Sequence, residues 1–130
     1  MKKALSLVLL TVLACAFVFG SGSQQQSGGA GGPTIRLLTD ATGIDDKSFN
    51  AAAWRGILEF YGDTWQNQRQ RGSLYDVVTA QTQDMYIPNI RQATDEGYDL
   101  IVTTGFTFAD ALETVAKQNP NQNYIIIDVD

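Results

Sequence analysis

The side chains best suited to bind a small molecule are concentrated in one segment, Asp40 to Asn50, which follows a short apolar run. Asp46 or Ser48 can cap a helix that starts immediately afterwards, and Phe49 and Asn50 would then lie in its first turn. An aromatic ring beside an amide and the Asp40 carboxylate suits a flat, uncharged heterocycle that carries hydroxyl groups.

Several of these residues also fit a purely structural role. Asp45 and Asp46 fit a helix cap and its solvated neighbour better than they fit ligand contacts. Phe49 lies on the predicted apolar face of the following helix, so it could equally be a core residue. Asp40 and Asp128, each at the end of an apolar run, are the stronger candidates for binding.

The composition limits the catalytic chemistry. The sequence has no histidine, and its one cysteine is Cys15. This excludes a Cys/His or Ser/His catalytic pair, an imidazole or thiolate zinc site and an internal disulfide. Carboxylate pairs, such as Asp40 with Asp128, leave open a metal-dependent hydrolase, but no phosphate-binding glycine motif accompanies them. We therefore expect no catalytic residue, metal or cofactor.

The charge argues against polyanionic partners. The whole chain carries 9 basic and 14 acidic residues, and two of the basic ones are Lys2 and Lys3. A folded part with seven bases and fourteen acids repels nucleic acid and anionic membrane surfaces. We therefore expect no nucleic-acid partner.

The N-terminus has the features of an export signal. A basic start precedes an apolar run from Ala4 to Phe19, which is shorter than the roughly 20 residues that a membrane-spanning helix needs. We assign residues 1–19 to a signal peptide. Its residues 12–15, Val-Leu-Ala-Cys, resemble a bacterial lipobox, which makes Cys15 the lipidation site. Cleavage near Ser21 to Ser23 without a lipid is the alternative.

Residues 20–33 contain only Gly, Ser, Gln, Ala and Pro. Such a composition buries too little apolar surface to fold and predicts a flexible linker. We expect the folded part to be residues 34–130.

The folded part alternates between strand and helix patterns. Short apolar runs predict four strands, at Thr34–Thr39, Tyr75–Ala80, Asp99–Thr104 and Tyr124–Asp128. Between them, helical spacing predicts three apolar faces: Phe49, Ala53, Ile57, Phe60 and Tyr61; Ile87, Ile90 and Ala93; and Leu112, Val115 and Ala116. Thr107 to Asp110 has the form of a capping box, and Gln66 to Ser73 reads as a surface excursion.

This order of elements predicts an α/β fold with a Rossmann-like parallel sheet. Ligands of such sheets bind at the carboxyl ends of the strands, where polar segments recur. These segments are Asp40–Asn50, Gln81–Asp84, Thr104–Thr107 and Asp128–Asp130. Because the sequence stops directly after the fourth strand, we expect it to be part of a longer architecture.

Three motifs carry a resemblance to a known family. They are the Asp40 to Asn50 block in the form D-x-x-G-x-x-D-K-S-F-N, the segment G-F-x-F-A-D-A from Gly105, and I-I-D ending at Asp128. Together they resemble the basic membrane protein family of solute-binding lipoproteins, to which purine nucleoside receptors of ABC importers belong.

The resemblance implies a type I periplasmic-binding-protein fold, of which residues 34–130 are an incomplete N-terminal lobe. It also implies a purine nucleoside ligand, whose base stacks on Phe49 and whose hydroxyls meet carboxylates. The matching positions are Asp40, Phe49, Asn50, Asp128, Gly105 and Phe106. ABC permease subunits are the implied partners of a monomer held at the cell membrane by a lipid anchor, facing the periplasm or exterior.

One alternative keeps the same lobe but changes the ligand. A periplasmic sugar-binding or sensor domain would retain the carboxylates at the strand ends without needing an aromatic ring at Phe49. A carboxylate-based hydrolase is the second alternative.

Overall fold

A computed structural model describes residues 31–128 of the chain as one α/β unit. Four parallel strands form its sheet in the order β2-β1-β3-β4. Their bounds are Ile35–Thr39 (β1), Tyr75–Thr79 (β2), Leu100–Thr104 (β3) and Asn123–Ile127 (β4). All four predicted strands are confirmed to within one residue at each end, and so is the parallel sheet.

Three α-helices connect the strands: Phe49–Phe60 (α1), Tyr86–Asp95 (α2) and Ala109–Gln118 (α3). Each is preceded by a short 3-10 turn, at Gly43–Asp45, Gln83–Met85 and Phe106–Phe108. Pro88 lies in the first turn of α2. Backbone N–H groups there have no partner within the helix, so proline, which lacks an N–H, fits this position.

The core has two halves, one on each face of the sheet. Neighbouring residues of β1 point to opposite faces: Leu37 packs with α1, whereas Leu38 packs with α2 and α3. Ile101 and Val102 of β3 alternate in the same way. The helices that follow β1 and β3 therefore lie on opposite faces of the sheet, and this arrangement determines where a ligand can enter.

The predicted apolar face of α1 is confirmed at Ile57, which is buried, and at Ala53 and Tyr61, which pack against the core, but it is wrong at Phe49 and Phe60. Phe49 is 51% and Phe60 63% exposed, whereas the buried residues of the helix are Asn50, Ala51, Trp54, Ile57 and Leu58. The helix carries apolar residues on two sides, and the side that holds the large indole of Trp54 is the one that packs on the sheet. Phe49 is consequently not a core residue.

The capping box at Thr107 to Asp110 does not form. No side chain caps α3, whose first residue is preceded by Phe108 in a helical conformation. The Thr107 hydroxyl instead lies 3.3 Å from the Tyr86 hydroxyl, and the rings of Tyr86 and Phe108 stack with centroids 3.8 Å apart. Packing between the loops after β2 and β3 replaces the cap.

The excursion at Gln66 to Ser73 lies on the surface, as predicted, but it is anchored by a buried carboxylate. Asp63 accepts hydrogen bonds from the Tyr75 hydroxyl at 2.6 Å, from the Gln70 amide at 3.0 Å and from Arg69 Nε at 3.2 Å. These bonds connect the excursion to the first residue of β2.

Within residues 31–128, no helix is both long enough and apolar enough to cross a membrane.

Candidate functional site

The carboxyl ends of β1 and β3 form the candidate ligand site, which we call the crevice. These neighbouring strands send their chains to opposite faces of the sheet, and ligands of such sheets bind where that happens. Asp40 follows β1 and Gly105 follows β3. Asp128 follows β4, the next strand along, so the predicted site residues span three adjacent strands.

Asn50 is the side chain that joins the two walls of this crevice. Its amide nitrogen donates to Asp40 Oδ1 at 3.1 Å, to Thr42 Oγ1 at 3.0 Å and to the Gly43 carbonyl at 2.9 Å. Its oxygen accepts a hydrogen bond from the hydroxyl of Thr104, the last residue of β3. We refer to these five residues as the Asn50 network.

Asn50 itself is only 5% exposed, and both ends of its amide are used within the protein. It was predicted to contact the ligand. That contact stays a prediction; in the structure the Asn50 amide holds Asp40 and the loop after β1 against the end of β3. Gly43, with φ of 63°, makes the turn that brings its carbonyl to the amide.

Asp40 is a partly buried carboxylate with one strongly bonded oxygen. Oδ1 accepts from Asn50 and from both the backbone amide and the hydroxyl of Thr42. Partial burial raises the pKa of Asp40, but the hydrogen bonds from Thr42 and Asn50 outweigh it and leave the pKa below its usual value. Asp40 is therefore ionised at neutral pH and can accept hydrogen bonds from ligand hydroxyls.

The first turn of α1 is fixed by Asp46, one of the two residues predicted to cap it. Its carboxylate accepts from the backbone amides of Ser48 and Ala51 at 2.9 Å each and from that of Asn50 at 3.2 Å. Ser48 makes no capping bond through its own side chain. The cap leaves Phe49 as an exposed ring on a rigid turn, next in sequence to the buried Asn50.

The other wall of the crevice presents a second exposed ring. Gly105, with φ of 95°, turns the chain out of β3, and its amide donates to the Ile127 carbonyl at 2.8 Å. This bond extends the β3–β4 ladder and holds Gly105 beside the end of β4. Phe106 follows and is 67% exposed. The two exposed phenylalanines thus stand on the loops that flank the crevice.

Asp128 is exposed and takes a left-handed conformation, with φ of 63°, directly after β4. Within residues 31–128, neither Asp128 nor Asp40 lies within 4.0 Å of a lysine or arginine nitrogen. Two carboxylates without a cation disfavour a phosphorylated ligand and favour an uncharged one with hydroxyl groups. Residues 31–128 hold no cluster of three or more side chains that could together bind a metal ion.

Comparison with known proteins decides the family. A family model described as ABC transporter substrate-binding protein, PnrA-like, matches residues 34–129. The ABC transporter nucleoside-binding protein BmpA of Lactococcus lactis is 31% identical over 98% of this chain and 36% of its own length. Basic membrane protein A of Borreliella burgdorferi is 32% identical over 93% of this chain and 33% of its own length.

The chain belongs to this family. The predicted resemblance is thereby confirmed, and so is the expectation that the family consists of binding proteins and not enzymes. A solved solute-binding protein of an ABC transporter system from Aeropyrum pernix has the same fold, with 32% identity and a TM-score of 0.56 over 75% of this chain and 25% of that one.

The chain spans about a third of the length of the relatives in this family that it matches. The predicted signal peptide, the lipobox with Cys15 and most of the linker lie outside the residues that the structure describes, as do the last two residues. The present site is therefore the part that one sheet edge of a PnrA-like protein contributes.

Two residues of this PnrA-like site were not singled out from the sequence. Thr42 and Thr104 hold Asp40 and Asn50 in place through their hydroxyls. Thr104 carried a usable signal, because it is a polar residue at the end of an apolar strand. The only signal at Thr42 was its position two residues after Asp40, where its backbone amide donates to the Asp40 carboxylate and closes a local turn.

Proposed function

We propose that the protein containing this chain is the substrate-binding component of an ABC importer and binds a purine nucleoside. The observation that carries the proposal is the pairing, at one crevice, of an ionised carboxylate without a cation and an exposed aromatic ring fixed on a helix turn. These groups are Asp40 and Phe49. The printed name of the Lactococcus relative, a nucleoside-binding protein, supports the same ligand class.

Each group has a distinct role in this proposal. Asp40 accepts hydrogen bonds from ribose hydroxyls at Oδ2, the oxygen that the Asn50 network leaves free. Phe49 and Phe106 offer apolar faces to the base. Stacking adds affinity but distinguishes poorly between bases, so polar groups elsewhere select the base. Asp128 accepts from a ring N–H or a hydroxyl, and Asn50 acts through Asp40 by fixing its orientation.

The experiment is a calorimetric titration of the complete protein with guanosine, inosine, adenosine, ribose and guanosine monophosphate. We expect the nucleosides to bind, the monophosphate to bind much more weakly, and ribose alone to bind weakly or not at all. Tight ribose binding without nucleoside binding would establish the sugar-binding alternative. Turnover of a nucleoside would support the second alternative, a carboxylate-based hydrolase.

A matched pair of variants tests the stacking role. Phe49→Ala is expected to weaken nucleoside binding by about 1–3 kcal/mol, the usual worth of an aromatic ring stacked on a base. Phe60→Ala removes the same side chain from the other end of α1, where it is 63% exposed, and should leave the affinity unchanged. Equal affinities for the two variants would show that Phe49 is an ordinary surface residue without a role in binding.

We also propose that the protein is exported and anchored to the membrane by a lipid on Cys15. The apolar run and the lipobox-like residues 12–15 support this. Mass spectrometry of the mature protein decides the matter: a diacylated cysteine at the N-terminus supports the anchor. A free N-terminus near Ser21 to Ser23 would show secretion instead.

A further inference from the structure

The turn that carries Phe106 is in contact with a buried ring from another loop. Phe106 begins the three-residue turn Phe106–Phe108 and is 67% exposed, whereas the last residue of the turn, Phe108, is fully buried. The ring of Phe108 stacks on that of Tyr86, with centroids 3.8 Å apart and ring planes inclined by 14°. Tyr86 is the first residue of α2 and is 5% exposed, so it contacts the turn from inside the core.

The Tyr86 hydroxyl reaches the middle residue of the same turn. It lies 3.3 Å from Thr107 Oγ1, at the long end of hydrogen-bond distance. Tyr86 thus touches both residues that follow Phe106, one through its ring and the other through its hydroxyl. A residue of the loop after β2 therefore anchors two of the three residues of a turn after β3.

The hydrogen bond within the turn is local and does not orient it. The Phe108 amide donates to the Gly105 carbonyl, three residues back, at 3.1 Å. Such a bond closes the turn but leaves its direction relative to the sheet open, and Gly105 itself, with φ of 95°, is a residue of wide backbone freedom. The contacts with other elements orient the turn: the Gly105 amide on the Ile127 carbonyl at its start and Tyr86 at its end.

Tyr86 also has a simpler interpretation, as an ordinary core residue. Tyr86 and Phe108 both belong to the half of the core that α2 and α3 cover. Loss of an ordinary core residue lowers the free energy of unfolding without a selective effect on one turn. Loss of a residue that orients the turn also changes what Phe106 presents to a ligand. The two interpretations therefore predict different ligand affinities.

We propose that Tyr86 is a positioning residue for ligand binding. It holds the Phe106 turn so that the exposed ring is already oriented at the crevice when the ligand arrives. This rests on the proposed function, in which Phe106 offers an apolar face to the base. Tyr86 does not touch the ligand, and its contribution to affinity is the ordering of Phe106, which the ligand must otherwise supply.

The test is a double-mutant cycle on the complete protein, with the guanosine affinity measured by calorimetry. Tyr86→Leu removes the stacked ring and the hydroxyl, and it should weaken binding by about two- to tenfold, the range that ordering one side chain accounts for. In a protein that already carries Phe106→Ala, the same substitution should cause no further loss. Tyr86→Phe keeps the stacked ring and should bind guanosine more tightly than Tyr86→Leu.

The matched control is Tyr124→Leu. Tyr124 packs against the same half of the core, and its hydroxyl lies 2.8 Å from that of Thr94. It is the second residue of β4, near the end of the strand opposite to the crevice. Tyr124→Leu should therefore lower the stability measured in urea and leave the guanosine affinity unchanged.

Amide hydrogen exchange reports on the turn without a ligand. Tyr86→Leu is expected to speed exchange of the Phe108 amide by at least about tenfold relative to that of Val102, in the middle of β3, where protection follows global stability. Tyr124→Leu should leave the ratio of these two rates unchanged. If Tyr86→Leu does not fold, Tyr86→Phe takes its place and should shift the ratio in the same direction.

Three results would overturn the proposal: an unchanged exchange ratio, the same loss of affinity from Tyr86→Leu with and without Phe106, and an equal loss of affinity from Tyr124→Leu. Unchanged guanosine binding by Phe106→Ala would also overturn it, while leaving the proposed function intact. If the wild-type protein binds no nucleoside, the proposed ligand is rejected, and the exchange ratio alone decides whether Tyr86 orients the turn.

Discussion

The substitution Asn50→Ala tests whether the Asn50 network organises the site. It removes the hydrogen bonds that the Asn50 amide nitrogen donates to the ionised Asp40, to Thr42 and to the Gly43 carbonyl. It also removes the one that the Asn50 oxygen accepts from Thr104. A buried hydrogen bond to a charged group contributes about 1.5–3 kcal/mol, and a neutral one about 0.5–1.5 kcal/mol. Water can replace the amide at the exposed Thr42, so we expect the free energy of unfolding to fall by about 2–4 kcal/mol.

Urea unfolding followed by tryptophan fluorescence measures this loss, because Trp54 is fully buried and its emission reports the fold. The control is Asn121→Ala, which truncates an exposed asparagine and should change the stability by less than about 0.5 kcal/mol. If Asn50→Ala and Asn121→Ala unfolded at the same urea concentration, the network would be incidental and Asn50 would be free to contact a ligand.

Two further predictions concern titration. The folded-state pKa of Asp40 lies below its unfolded value, so its hydrogen bonds stabilise the fold above about pH 3.9 and this contribution is lost as the pH falls through the folded pKa. Thr42→Val should raise the pKa of Asp40 in an NMR titration, and an unchanged pKa would contradict the role given to Thr42. The Tyr75 hydroxyl is the largest influence that lowers the pKa of Asp63, so Tyr75→Phe should raise that pKa; an unchanged pKa would show that Arg69 and Gln70 compensate fully.

The central strands β1 and β3 were predictable because they are buried on both faces of the sheet. A strand that packs helices on both faces must be apolar at nearly every position, and a short run such as Leu-Ile-Val in β3 is typical of such a strand. The loop after β1 could also be predicted, because a glycine with positive φ and an aspartate three residues before a helix have specific backbone uses.

The buried face of α1 was not predictable from spacing alone. Phe49, Ala53 and Ile57 have helical spacing, and so do Ala51, Trp54 and Leu58. Periodicity counts both sets, and only the sheet decides between them, since the face that buries Trp54 removes far more apolar surface from water. The placement of Phe49 on the same buried face as Ile57 failed for this reason, and its exposure is consistent with the alternative, a ring available to a ligand.

Long-range polar pairing was invisible in the sequence for a different reason. Thr104 lies 54 residues from its partner Asn50, and Tyr75 lies 12 residues from Asp63. The local sequence marks Thr104 as polar but does not show which residue it pairs with, because hydrogen bonding requires only a polar atom at the right place in the folded structure. The sequence therefore brought the candidate residues to one edge of the sheet but did not show that Asn50 is buried there.

The division between Asn50 and Phe49 has a consequence for how the protein binds. Asn50 fixes the Asp40 carboxylate through bonds formed on folding, so the cost of ordering that group is met before a ligand arrives. Phe49 stands exposed on a turn that Asp46 holds in place, and in the proposed function a ligand buries its ring. Loss of Asn50 should consequently weaken stability and affinity together, whereas loss of Phe49 should weaken affinity alone. The two substitutions thus distinguish Asn50, which positions the Asp40 carboxylate, from Phe49, which contacts the ligand in the proposed function.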